Sequence, residues 1–194
     1  NVANMLNAKY FIVEGDNGSP EVMVNPDAMG NAWFVDEVRC VDTPREESDA
    51  LNAMDFSKQA VTDRKFSSMV LEPNTFSGEI ALLSYAPDRL VYNSSCEGEK
   101  TAVFSDIYYP YGWKAYIDGA PVEHFRVNYV LRALNVPAGE HEIMFEFRPD
   151  SIYKGFKVNA LFRYIMYTLI ISLIVASVLR ELGKGPKWLR DWGA

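Results

Sequence analysis

"WKAYIDGAPVEHF", residues 113–125, decides the fold class of this chain. Two runs flank Asp118-Gly119, a dipeptide suited to the positive φ values of a two-residue hairpin turn. Trp113, Ala115 and Ile117 alternate with Lys114, Tyr116 and Asp118, the period of a half-buried strand with Trp113 on the core face. Outward from this hairpin the β pattern continues in both directions. "GEIALLSYAP" and "RLVYNSSC" on either side of Pro87-Asp88 predict a second hairpin, and "KTAVFSDIYYP" a further strand. "YVLRALNV", "PAG" and "EHEIMFEFRP" predict a third hairpin, with Ile143, Phe145 and Phe147 on one face.

The N-terminal part is less regular. "KYFIV" (9–13) is a short apolar run before the turn cluster "EGDNGSP". "NAWFVDEVRCV" (31–41) alternates with one slip and predicts a single strand with a bulge. "TPREESDALNAMD" (43–55) places Pro44 and acidic residues where a helix begins, so a short helix is expected near 45–55. "QAVTD" reads as another strand. Many short strands with turns between them predict a mainly β chain, an antiparallel jelly-roll-like β-sandwich.

Residues 160–179, "ALFRYIMYTLIISLIVASVL", carry one charge over twenty positions. A helix of that length matches the hydrocarbon thickness of a bilayer. Arg163 lies near one end, where its stem can snorkel, and Thr168, Ser172 and Ser177 can bond their own helix backbone. Tyr164 and Tyr167 at one boundary and Trp188 and Trp192 beyond the other fit interfacial belts, and "GKGP" (183–186) ends the helix. The expected organisation is an extracytoplasmic β domain over 1–156, a transmembrane helix over 157–182 and a cytoplasmic tail over 183–194. Arg180, Lys184, Lys187 and Arg190 favour that orientation. The chain opens on Asn1, which reads as an excerpt of a longer chain or a processed product.

The net charge of −7 is uneven: residues 159–194 carry a net of +3 and the remainder −10. An acidic body repels phosphate backbones, so nucleic acid is not an expected partner. His124 and His141 stand apart beside turns, and no HExxH, CxxC or EF-hand spacing occurs, so no metal or cofactor is expected. There is no GxSxG elbow, and Asp106 and Asp118, which flank the aromatic cluster, are the least arbitrary carboxylate pair. Asp118 is better explained by its turn. No convergent catalytic constellation emerges. Cys40 lies in a strand-like run and Cys96 in a polar turn, and two unpaired thiols are favoured over a bridge. "NGS" at 17 and "NSS" at 93 match the glycosylation acceptor pattern and also read as turns.

The aromatic stretch "YYPYGW" (108–113) carries two readings. Rings with polar tips can stack on sugars, or they can pack a strand and its bend. Alternation favours the core for Trp113, while Tyr109 and Tyr111, around Pro110 and Gly112, are expected at the surface.

The string "FSDIYYPYGWKAYIDGAPVEHFRVNYVLRALNVPAGEHEIMFEFRPDSIYKG" resembles the C-terminal extracytoplasmic region of the YfhO family of bacterial membrane proteins, and "NMLNAKYFIV" (4–13) resembles the point where that family leaves its helical core. The resemblance implies the C-terminal accessory region of a polytopic glycosyltransferase of the bacterial cytoplasmic membrane. Such proteins use lipid-linked sugar donors for cell-envelope glycans, and their proposed catalytic acids lie in an early loop outside these residues. The positions that carry the resemblance are Trp113, Asp118, Gly119, Asn128, Arg132, Pro137, Gly139 and His141, none with a catalytic role. Arg132 could pair with an acid such as Asp106. The expected sugar-binding residues are Tyr109, Tyr111, Trp113, Asn128 and Arg132, with the lipid bilayer and a lipid-linked sugar or acceptor glycan as partners. The alternative is a single-pass anchored carbohydrate- or protein-binding module without enzymatic activity.

Overall fold

The strand switch at Asp36 shows how this chain builds its layers. In the computed structural model, which describes residues 2–182, the run 31–41 is two strands that belong to different sheets. After the helical turn α1 (Val2–Met5) come β1 (Tyr10–Glu14), β2 (Pro20–Val24), β3 (Ala32–Val35), β4 (Glu37–Val41), helix α2 (Pro44–Ala50) and β5 (Gln59–Asp63). A 3₁₀ segment (Arg64–Met69) leads to β6 (Gly78–Ala86), β7 (Arg89–Cys96), β8 (Lys100–Ile107), β9 (Trp113–Ile117), β10 (Ala120–Val122), β11 (Phe125–Val127), β12 (Leu131–Val136) and β13 (Gly139–Phe147). Helix α3 runs from Asp150 to Glu181. The chain is mainly β, with several antiparallel sheets.

One sheet has five strands in the order β10-β9-β13-β7-β6, and a second has four in the order β11-β12-β8-β3. Both are antiparallel throughout. One core cluster draws Tyr92, Ile117 and Phe145 from the first sheet and Phe34, Phe104 and Leu134 from the second. Phe104 stands edge-on to both Tyr92 (4.9 Å) and Phe145 (4.8 Å). Each such ring contributes roughly 1.5–3 kcal/mol on burial. The other face of the four-stranded sheet is buried too: Val103, Phe125, Leu131 and Ala133 pack on Ala50, Leu51, Phe56 and Val61.

Several expectations are corrected here. The predicted third hairpin does not form, because β12 pairs with β8 and β11 while β13 pairs with β7 and β9. Pro137-Ala138-Gly139 therefore carries the chain from one sheet to the other. The reason is burial on both faces of β12, where only Asn135 is less than fully buried. The pairing is not wholly antiparallel: β4 and β5 form a parallel pair across α2. Asp36 breaks the predicted single strand. Its N–H donates to the Lys58 carbonyl (2.7 Å), its carbonyl accepts from Asn74 (2.9 Å), and its carboxylate holds the buried Lys100 ammonium (2.6 Å). Asn93 and Cys96 lie within β7 rather than in turns, whereas the two cysteines are free, as the sequence favours.

Other expectations match. The β6–β7 hairpin forms, with a register shift between Leu82 and Ser84. Helix α2 starts where Pro44 predicts; the Thr43 side chain accepts from the Glu46 N–H, and the helix stops at Ala50. Asp118 (φ 50°) and Gly119 (φ 78°) form the turn of the β9–β10 hairpin, both left-handed as a two-residue turn of this hand demands.

The chain divides into two compact units, the second starting at Pro149. Within it, α3 has 32 residues, none of them buried, and is long and apolar enough to cross a membrane. At about 1.5 Å per residue it is about 48 Å long, more than the hydrocarbon core requires. Thr168 and Ser172 donate to the carbonyls of Ile165 (2.8 Å) and Leu169 (2.7 Å), as expected of hydroxyls on such a helix. The GKGP stop, Trp188, Trp192 and the basic tail lie outside the described residues.

Candidate functional site

Four of the five expected sugar-binding residues come together at one end of the five-stranded sheet. Pro110 and Gly112 bend the chain between β8 and β9, leaving Tyr109 48% and Tyr111 78% exposed, with their rings 5.8 Å apart. Tyr109 lies 6.3 Å from Phe147, and Phe147 lies 5.3 Å from Trp113. Gly112 is required at the bend, since a Cβ there would meet the Phe147 ring. Trp113 is half-buried and packs against the inter-sheet core, in keeping with its place in the alternation.

Beneath Trp113 lies Arg132. It shares a face of β12 with Leu134 and Val136 and is 2% exposed. Its guanidinium is stacked between Trp113 (4.4 Å) and Phe145 (4.7 Å). Nη2 lies 4.0 Å from Asp106 Oδ1, the pairing the sequence suggests, and the Tyr92 hydroxyl donates to Asp106 Oδ2 (3.1 Å). Nε and Nη1 have no hydrogen-bond partner among the described residues. Burial lowers the Arg132 pKa and Asp106 partly offsets that; the group stays a cation. Burial and the Asp106 charge push the Tyr92 phenol up.

His124 is the residue that sequence reasoning misplaced. It is packed edge-on between Tyr108 (5.4 Å) and Phe145 (5.9 Å) rather than lying at a surface turn. Burial, with the nearby Arg132 charge, lowers its pKa to about 4, so the imidazole is neutral near pH 7. His124 and Trp113 help to line an open cleft of about 550 Å³ with Lys65, Phe66, Tyr108 and Tyr116. Five of the fourteen lining residues carry aromatic rings, with Lys65, Lys114 and Glu123 supplying charge. A larger groove of about 790 Å³ lies between β3 and β6, with Ser77, Asn93, Ser94 and Lys100 in its lining. Its only sequence signal is the clustering of small polar residues at 75–79 and 93–95.

Asn128 belongs elsewhere. It is fully buried with a φ of 49°, and it brackets Val61: its N–H donates to the Val61 carbonyl (2.7 Å), and its Oδ1 accepts from the Val61 N–H (3.0 Å). It ties the turn after β11 to β5 and presents no surface to a ligand. Asp118 is likewise committed, accepting from the Glu142 N–H (2.9 Å) with its Oδ2 2.7 Å from His141 Nδ1. It thus shares no site with Asp106. Among the described residues no three His, Cys, Asp or Glu side chains are placed to hold a metal ion. A part-buried ion pair invisible in the sequence, Glu47 with Arg126 (2.7 Å), fastens α2 to β11; Glu47 also accepts from the Tyr129 N–H (2.9 Å).

No family model, curated protein or solved structure matches the chain.

Proposed function

We propose that this chain is a membrane-anchored, extracytoplasmic β-sandwich that holds glycan, the accessory C-terminal part of a glycosyltransferase-like membrane protein acting on lipid-linked sugars. The observation that carries the reading is the cleft of about 550 Å³ beside Trp113, to which Phe66, Tyr108, Trp113, Tyr116 and His124 contribute rings. Half-buried rings offer fixed apolar faces at small entropic cost, and neighbouring polar tips can bond sugar hydroxyls. Lys65 and Glu123 supply donors and acceptors at the rim. Arg132 supports the site from behind by fixing the Trp113 ring, while Asn128 holds the fold. In this reading α3 spans the cytoplasmic membrane of a bacterium with its C-terminus inside, and these residues perform no chemistry themselves.

Calorimetric titration of the full chain in nanodiscs with neutral and acidic oligosaccharides tests the cleft. Binding that is lost in Trp113→Ala and weakened in Lys65→Ala, with unchanged melting of the Lys65 variant, supports it. The absence of heat with every sugar overturns it and leaves a covering or protein-contacting domain. The sequence encoded upstream of Asn1 separates the two whole-protein readings. A series of apolar spans supports the polytopic glycosyltransferase. A signal peptide directly upstream supports a single-pass binding module.

A further inference from the structure

The five-stranded and four-stranded sheets are joined along one side and open along the other. On the joined side their margins are β10 and β11, and β10 passes into β11 through Glu123 and His124 alone. On the open side the margins are β3 and β6, which come together where Gly78 lies against the Phe34 ring. The coil over 70–77 bonds to the β3 side. There the Asn74 N–H donates to the Asp36 carbonyl (2.9 Å), and the Lys100 ammonium donates to the Phe76 carbonyl. β6 has no such cover: among the described residues its only backbone partner is β7.

In an antiparallel pair, alternate residues turn both N–H and C=O away from the partner strand. Folded proteins protect such edges with bulges, prolines, lysines or a covering segment. A register shift between Leu82 and Ser84 disrupts the second half of β6. The first five residues, Gly78 to Leu82, carry no bulge, proline or lysine and offer unpaired main chain over about 17 Å. Gly78 and Ala81 leave room for another backbone to approach.

This half of β6 is also the wall of a groove. About 790 Å³ lies between it and β3, over Phe34, Phe76 and Ile80. A further 260 Å³ or so continues past Ser77, Gly78 and Glu79 to Glu97. The charges along both parts are Asp36, Glu79, Glu97 and Lys100. Lys100 is 5% exposed and held by Asp36 at 2.6 Å. The charge presented to solvent is therefore that of the exposed Glu79 and Glu97.

From these observations we propose that Gly78–Leu82 is a docking edge for an extended, basic polypeptide segment, which adds to β6 as a further strand of its sheet. An extended peptide repeats its donors and acceptors every two residues, about 7 Å, the spacing at which β6 offers its own. A glycan has no such repeat. Every second side chain of the added strand faces the groove, and lysine or arginine side chains meet Glu79 and Glu97. The groove shares no lining residue with the cleft beside Trp113, so this inference and the glycan reading stand or fall separately.

Amide hydrogen exchange of the full chain in nanodiscs, read by mass spectrometry, tests the edge. The probes are a short alternating Lys-Val peptide, the same peptide with Glu for Lys, the Lys-Val peptide N-methylated at every residue, and the neutral sugar cellohexaose. At ten times its dissociation constant the Lys-Val peptide should slow the outward amides of 78–82 by about tenfold. The N-methylated peptide, which has no backbone donors, should give no slowing, and the acidic peptide should bind more weakly. Glu79→Lys, at an exposed edge position, should reverse the preference between the basic and acidic peptides. No slowing with the Lys-Val peptide overturns the proposal, and so does slowing that survives N-methylation. Equal slowing by the acidic peptide overturns the assignment of a basic partner. Slowing of the same amides by cellohexaose alone overturns the peptide in favour of a second glycan surface.

Discussion

Replacing Arg132 by alanine removes the group on which the candidate site rests. The guanidinium is 2% exposed, is stacked on two rings and faces Asp106 at 4.0 Å. Breaking a fully buried pair costs about 3–5 kcal/mol. Two observations place this one at the low end: Asp106 remains 26% exposed and keeps the Tyr92 hydroxyl. About 3 kcal/mol is expected for Arg132→Ala. For a unit of this size that is roughly 6–12 °C in melting temperature. Arg132→Met keeps an apolar chain beneath Trp113 and Phe145 but loses the guanidinium and its contact with Asp106, so it should recover only the packing share, for a cost of about 2 kcal/mol. Urea unfolding of the detergent-solubilised chain, followed by tryptophan fluorescence, measures both. An alanine variant within about 0.5 kcal/mol of wild type would refute the stacking argument. A methionine variant as damaged as the alanine one would show that charge, not packing, holds Trp113.

Three further outcomes follow from local geometry. Gly119→Ala should lose roughly 1–2 kcal/mol from its φ of 78° alone, since a Cβ there meets nothing within 4 Å; thermal melting checks it. Asn128→Ala leaves the buried Val61 N–H without an acceptor and removes a residue that tolerates its φ of 49°, for a loss of about 2–3 kcal/mol, read by the same urea assay. The Asp118–His141 pair should give a pH-dependent increment. Its hydrogen bond to Asp118 raises the His141 pKa, so that stability is full below the ordinary value of 6.5 and is lost as pH rises through the raised one. Asp118 is lowered by His141 and by the Glu142 N–H, so its share is present above 3.8 and is lost as pH falls through the depressed value. Melting of wild type minus Asp118→Asn, which keeps the turn, should therefore be greatest between about pH 4 and 6.5 and shrink on both sides.

The parts of this fold that were readable from sequence are those encoded by neighbours. Asp118-Gly119 declares its hairpin because two adjacent residues can adopt left-handed φ. Pro110 and Gly112 make a bend, so the exposure of Tyr109 and Tyr111 follows from local chemistry. The twenty-residue apolar run announces α3 by length alone. What fails is whatever depends on a distant partner. Pro137-Ala138-Gly139 looks like a hairpin turn until β12 is seen to be buried on both faces, which sends β13 to the other sheet. Asp36 looks like a bulge, but its bonds to Lys58, Asn74 and Lys100 come from three remote segments. Asn128 falls outside the site because its partner is Val61, sixty-seven positions away. His124 is half-buried and Glu47 buried by neighbours that no local pattern reveals, so neither the neutral imidazole nor the Glu47–Arg126 pair could be foreseen.

Alkaline carbonate extraction of membranes from cells expressing the full chain tests the anchored-domain reading most directly. The chain should stay in the membrane pellet, and a variant carrying Ile170→Arg and Leu173→Arg should be released. Two central charges oppose insertion by about 5–7 kcal/mol on a translocon-based scale. Recovery of the unmodified chain in the carbonate supernatant would contradict the reading.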